Sequence, residues 1–189
     1  MKIITTLVFC LIFSAFAFGQ DKAQVNQTAK PKTELELFQE KYGTVIVKSY
    51  SKISQIRGIG GTFQIMAMEF RNPSNNTKVN GLVVEINTTD RYANSARSFI
   101  EYDEIDSLIK GINYVSKVDK SVTSLDSFEA RYKTKGDFEV VVFNDEQGKL
   151  GVALSVGSIG QKTIYLEMDG LNNLVTQLQQ AKNTLNTVK

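Results

Sequence analysis

From residue 44 onward the chain alternates between two spacings of apolar residues. Short apolar runs bounded by glycine, asparagine and aspartate predict strands at 44–57, 62–71, 78–87 and 95–102, and again at 127–134, 138–144, 149–156 and 162–168. After each set of four the spacing lengthens to i, i+3, i+4, i+7, i+10. Ile105, Leu108, Ile109, Ile112 and Val115 follow it, as do Leu171, Leu174, Val175, Leu178 and Ala181. That spacing lays five side chains on one helical face, predicting helices at 104–117 and 170–186. Asp103 and Asp169 stand where an N-cap is expected, since a carboxylate can accept from the free amides of a first turn.

The two apolar helical sets lie 66 residues apart. At the same offset Glu101, Asp103 and Leu108 meet Glu167, Asp169 and Leu174, so the chain is expected to repeat internally. With gaps the match extends upstream, Gly81–Ile86 over Gly151–Val156 and Ile65–Phe70 over Phe138–Phe143. Turn chemistry separates the strands: Gly58-Ile59-Gly60-Gly61, Asn72-Pro73-Ser74-Asn75-Asn76 and Thr88-Thr89-Asp90 in the first copy. Lys135-Gly136-Asp137, Asn144-Asp145-Glu146-Gln147-Gly148 and Gly157-Ser158-Ile159-Gly160 do so in the second. The expected fold class is α+β, a tandem repeat of a four-stranded antiparallel meander plus a C-terminal helix, with halves at 44–118 and 119–189. A pseudo-twofold axis is expected to relate them.

The middle strands of each copy are apolar on both faces: Met66, Met68 and Phe70 against Phe63, Ile65 and Ala67, and Val140 and Val142 against Val141 and Phe143. Both faces of each sheet should therefore be covered. The copy's own helix is expected on one. The sister copy, a lipophilic ligand or a partner would take the other.

This tandem plan over 44–186 resembles the topology of the Whirly and PUR-type single-strand nucleic-acid-binding folds. With the frame shifted to helix first, it is also similar to the PepSY-like and beta-lactamase-inhibitor-protein-like secreted modules. The resemblance is one of topology, because the lysine-glycine-lysine-rich signature of Whirly proteins is absent.

The N-terminus adds an address. Lys2 and the apolar run Ile3 to Phe13, followed by Ala15, Ala17 and Gly19, have the form of a cleavable signal peptide over 1–19. The expected location is secreted or periplasmic, with no transmembrane segment after processing. Residues 20–43 are expected to be a flexible lead-in with a short helix around Leu35, Leu37 and Phe38. The sole cysteine, Cys10, would leave with the signal. The 22 basic residues less Lys2 leave 21 against 20 acidic, so no global charge draws the protein to nucleic acid or anionic lipid.

The chain has no histidine, which together with the loss of Cys10 removes histidine-assisted nucleophiles and the usual zinc sets. Ser49/Lys52 and Ser107/Lys110 match Ser-x-x-Lys without its companion motifs and are expected to be surface residues. The acids of Glu101-Tyr102-Asp103-Glu104-Ile105-Asp106 suit a helix start better than calcium or acid–base chemistry. Asp145 and Glu146 are too few for a calcium loop, and Gly58 to Gly61 lacks the Lys-Ser/Thr of a phosphate loop.

Lys48, Tyr50, Lys52 and Arg57, with Arg131, Tyr132, Lys133 and Lys135, could hold a single strand by stacking and charge, but they also suit solvated edge strands. Amphipathic helices and the missing aromatic girdles argue against an outer-membrane barrel. Asn26, Asn75 and Asn87 each begin an N-glycosylation triplet.

The expected function is a non-catalytic binding or interaction module without metal or cofactor. Its partner would be a protein or a small hydrophobic molecule; a hydrophobic-ligand carrier and a single-stranded nucleic-acid binder are the alternatives. No catalytic, cofactor or metal residue is assigned.

Overall fold

The computed structural model describes residues 30–89 and 94–188, so the expected signal at 1–19 and the lead-in up to 29 lie outside the described residues. The described chain begins with α1 (Glu34–Gln39). Next come β1 (Val47–Gly58), β2 (Gly61–Asn72), β3 (Thr77–Thr88), β4 (Ser95–Glu101), a 3-10 turn at Tyr102–Glu104 and α2 (Ile105–Val115). A second 3-10 turn at Lys120–Val122 leads into β5 (Glu129–Lys133), β6 (Glu139–Asn144), β7 (Leu150–Val156), β8 (Lys162–Leu166) and α3 (Asp169–Asn186). The strands form two antiparallel four-stranded meanders, β1-β2-β3-β4 and β5-β6-β7-β8, so the protein is α+β with two similar open sheets.

The helices bury the stripes that their spacing foretold. Ile105, Leu108, Ile112 and Val115 are buried, as are their counterparts Leu171, Leu174, Leu178 and Ala181, while Ile109 and Val175 are both partly buried. Burial therefore repeats with the 66-residue offset position by position.

The cap assignments need correction. The 3-10 turn takes in Asp103 and moves the α2 N-cap to Glu104, and the α3 N-cap is Met168; neither cap makes a side-chain bond. A one-turn prelude replaces the extended residue that an aspartate cap requires.

The expectation that each helix covers its own sheet is overturned. α3 lies on β1, β2 and β3 of the first half, and α2 lies on β5 and β6 of the second. The helices exchange sheets and run side by side, the start of α2 tied to the end of α3 by Asp106–Lys182 at 2.5 Å. One continuous core results, containing Phe63, Ile65, Leu82 and Ile100 from one half with Phe138, Val140, Leu154 and Ile164 from the other.

Strand pairing places Val83 opposite Met66 and Phe99, and Ala153 opposite Val141 and Tyr165. Met66 thus corresponds to Val141 and Phe63 to Phe138, which moves the β2/β6 match two residues from the one read off the sequence. Phe63 and Phe138 stack on each other, ring centroids 5.3 Å apart, as equivalent residues beside a twofold axis would.

The hairpin tips repeat the relation. A Cβ on Gly58 would stand 2.7 Å from the Tyr165 carbonyl, and one on Gly136 1.8 Å from the Phe99 carbonyl, two residues 66 positions apart. Backbone approaches this close leave room only for glycine.

The outer faces differ between halves. On the first sheet a second cluster forms, in which Leu35 and Phe38 of α1 cover Met66, Phe70, Val83 and Phe99. Six residues are too few for a stable isolated helix, so packing and capping hold α1 in place. Thr33 and Glu36 form a reciprocal capping box, and Gly81 opens the space that the Leu35 side chain fills. Leu37 faces solvent.

On the second sheet the outer face carries Arg131, Glu139, Val141, Phe143, Ala153 and Tyr165, and no described helix covers it. Glu139, Val141 and Ala153 are nonetheless buried, and Tyr165 is the large apolar side chain exposed there. Here the Phe143 ring lies over Gly151 and meets Tyr165 edge-on, a cross-strand fill of the place Leu35 takes in the first half.

Candidate functional site

The residues that suggested chemistry disperse in the fold. Ser49 pairs with Glu69 and Lys52 with Met66, which puts them on opposite faces of β1. Ser107 and Lys110 lie on the solvent side of α2. Asp145 Oδ1 accepts the backbone N–H groups of Gln147 (3.0 Å) and Lys149 (2.8 Å), which ties that carboxylate to the hairpin turn. Gly58 to Gly61 form the β1–β2 connection, with Gly60 at φ +97°. Among the described residues no three acidic side chains converge on a common centre suited to a metal ion. Asn75 is exposed at the β2–β3 turn, its Oδ1 accepting from Thr77 N (3.1 Å) and Oγ1 (2.7 Å); Asn26 lies outside the described residues.

The basic residues are mostly engaged. Arg131 reaches Glu139 at 2.8 Å, Lys133 reaches Asp137 at 2.9 Å and Lys135 reaches Glu101 at 2.8 Å. Lys48 donates to Gln39 Oε1 at 2.5 Å and stands over the Phe70 ring. The three carboxylate pairings neutralise Arg131, Lys133 and Lys135 as members of a phosphate-binding track, whereas Lys48 keeps its charge beside a neutral amide. Arg57 has no carboxylate partner among the described residues.

The apolar faces that invited a ligand are accounted for differently. Met66 lies beneath α1 and Met68 packs partly buried against the same cluster, while Val142 is fully buried in the shared core.

A small groove of about 140 Å³ lies beside Met68 and Leu185, and a larger one of about 630 Å³ lies open between the β1–β2 turn, β8 and the start of α3. Ile56, Ile59, Tyr165 and Leu166 supply its apolar lining, with Arg57, Glu167, Asp169 and Gly170 among its other residues. Backbone bonds hold its geometry, since Ile59 N–H donates to Tyr165 O at 2.9 Å and Tyr165 N–H to Ile59 O at 3.0 Å. Ile59 is 74% exposed and Tyr165 47%, on a segment fixed by the sheet beneath it. Sequence reading passed over the groove because its walls come from 56–59 and 165–173, joined only by the exchange of contacts between halves.

The matching place in the first half is closed by charged groups. Glu104 Oε1 accepts the Lys135 backbone N–H at 2.8 Å, while Glu101 takes the Lys135 ammonium and the Glu34 N–H at 2.7 Å. Burial pushes the Glu104 carboxyl above the usual carboxylate range, helped by the negative charges of Glu101 and Asp103, and its Oε2 is buried without a hydrogen-bond partner. Burial acts upward on Glu101 too, yet the bonds from Lys135 and Glu34 outweigh it and hold that carboxyl low. The Tyr132 hydroxyl is held above its ordinary range by burial and by the charge of Glu104.

No family model, no curated protein and no solved structure matches this chain. Among the described residues no helix is long and apolar enough to cross a membrane.

Proposed function

We propose that the chain is an exported, non-catalytic interaction module that recognises a protein partner through the second half, on the outer face of its sheet and the adjoining groove. One observation carries this reading: α1 covers the first sheet's outer face, whereas Ile59, Tyr165 and the groove they line are left uncovered. A rigid apolar patch beside charged groups has the make-up of a protein-binding surface. The carrier alternative is weakened, because Met66 and Val142 are buried and Met68 lines only a small pocket of about 140 Å³ with Tyr50 and Leu185. The nucleic-acid alternative is weakened by the carboxylate partners of Arg131, Lys133 and Lys135.

Native mass spectrometry of protein purified from its own compartment tests the reading. A stoichiometric partner chain lost on Tyr165→Asp supports it. Co-purifying lipid would favour the carrier, and a bare monomer would remove the basis for an interaction role.

A further inference from the structure

We propose that the open edge of β1, from Val47 to Lys52, takes up an extended acidic segment of a partner protein as a fifth strand of the first sheet. This surface is separate from the groove beside β8 and does not rest on it.

β1 is paired on one side only, with β2. Among the described residues nothing bonds to the backbone groups that Val47 to Ile56 turn away from β2. Six consecutive residues, Val47 to Lys52, are exposed, which is about 20 Å of strand. The other three edges are short or already engaged. The β5–β6 turn presses on β4 at Phe99, the β1–β2 turn bonds β8 at Tyr165, and β5 runs for only five residues.

An unpaired edge offers its amides and carbonyls to any strand, so the side chains along it decide the partner. Lys48, Tyr50 and Lys52 alternate on one face, paired with Phe70, Met68 and Met66 of β2. Neither lysine has a carboxylate partner among the described residues, and Lys48 bonds only the neutral Gln39. β5, the corresponding edge of the second sheet, neutralises its own cations, Arg131 with Glu139 and Lys133 with Asp137.

The two lysines reject a second copy of the strand. In an antiparallel pair of β1 strands centred on Tyr50, Lys48 of each copy would stand opposite Lys52 of the other, a like-charge contact. The same charges favour a strand with acids at i and i+4, which sets one carboxylate opposite each lysine. Its intervening side chains turn to the other face, beside Ser49 and Ser51, where the groove of about 140 Å³ next to Leu185 admits a small apolar group. The register shift between Lys52 and Ser54 ends the straight edge after Lys52.

The test is a titration of ¹⁵N-labelled protein starting at Gln20 with end-blocked Ser-Glu-Val-Thr-Val-Glu-Ser, and with its analogue carrying glutamine for both glutamates. Amide shifts centred on Ser49, Tyr50 and Ser51 are expected, with slowed hydrogen exchange at alternate β1 amides. Affinity should fall on the order of tenfold for the glutamine peptide and for Lys48→Gln/Lys52→Gln, the loss of two cross-strand charge pairs. Lys48→Glu/Lys52→Glu should instead prefer the peptide with lysine in place of glutamate. Backbone pairing is read by N-methylating the peptide either on its two glutamates and threonine or on its two valines. These sets face opposite sides of an extended strand, so one should abolish binding and the other leave it intact.

Equal binding of the charged and glutamine peptides, tolerance of both methylation patterns, or shifts away from β1 would overturn the proposal. So would tighter binding of an oligothymidylate at the same amides, which would assign the edge to nucleic acid. A concentration-dependent dimer protected along β1 would assign it to a second copy and overturn the proposal as well.

Discussion

Gly111 on α2 lies against the ring of Tyr132 on β5, where an added Cβ would come within 2.1 Å of the ring. In an exposed helix, replacing glycine by alanine gains about 1 kcal/mol. Here overpacking opposes that gain and costs about 1–3 kcal/mol, so Gly111→Ala should lower the urea midpoint. A rise would mean the ring moves aside freely.

Glu104 makes a second prediction at the same scale. Its folded carboxyl is held above the unfolded value, so the folded state binds more protons than the unfolded one between the two, and stability falls as pH rises through that mildly acidic interval. Glu101 acts oppositely: held low, it contributes stability above its unfolded value that is lost as pH falls through its folded one. Glu104→Gln should therefore flatten the fall on the alkaline side of the acid range without a loss of stability at neutral pH. Denaturant midpoints from pH 4 to 8 would show it, and an unchanged profile would contradict the burial of this carboxylate.

Among the elements, α1 is the one least expected to bear weight, and it bears much of the first sheet's outer face. Leu35 and Phe38 are buried, and Leu35 sits on Gly81. Leu35→Ala should cost about 2–5 kcal/mol if its cavity stays open, and less if α1 detaches locally. Hydrogen exchange separates the outcomes, because detachment speeds exchange at Leu37 and Glu40 while Leu82 and Val84 stay protected. The lead-in's sequence hinted at this helix through Leu35, Leu37 and Phe38, but Leu35/Leu37 alternation suits a strand equally well. The Thr33–Glu36 capping box decides for helix, and the apolar sheet face beneath supplies the energy that a six-residue helix lacks.

For the molecule as a whole, the exchange of helices means that neither sheet keeps its cover without the other half. Residues 44–118 alone would expose Phe63, Ile65 and Leu82, which α3 and the second half now bury. Each half expressed alone should fail to fold, and the intact chain should unfold in one transition. Leu174→Ala, at a fully buried site in the shared core, should cost about 2–5 kcal/mol and destabilise both sheets together. Two separated transitions by circular dichroism and calorimetry would contradict a common core.

The sequence by itself determined the elements, their order and the repeat. Helical stripes and strand runs are local periodicities, and the residues at 105, 108 and 112 carry the same burial as those at 171, 174 and 178 because one spacing selects one face. Turn chemistry around Asn72 to Asn76 and Asp145 to Gly148 likewise placed strand ends to within a few residues. Tertiary structure alone decided which sheet each helix covers, how β2 and β6 correspond, and that Met66 is roofed by α1 while Tyr165 is left open. It also decided that Glu104 accepts the Lys135 N–H across the halves, while its counterpart by offset, Gly170, lines an open groove. The physical reason is common to all of these: they depend on contacts between residues distant in the chain, and an apolar face specifies that it must be covered without specifying by what.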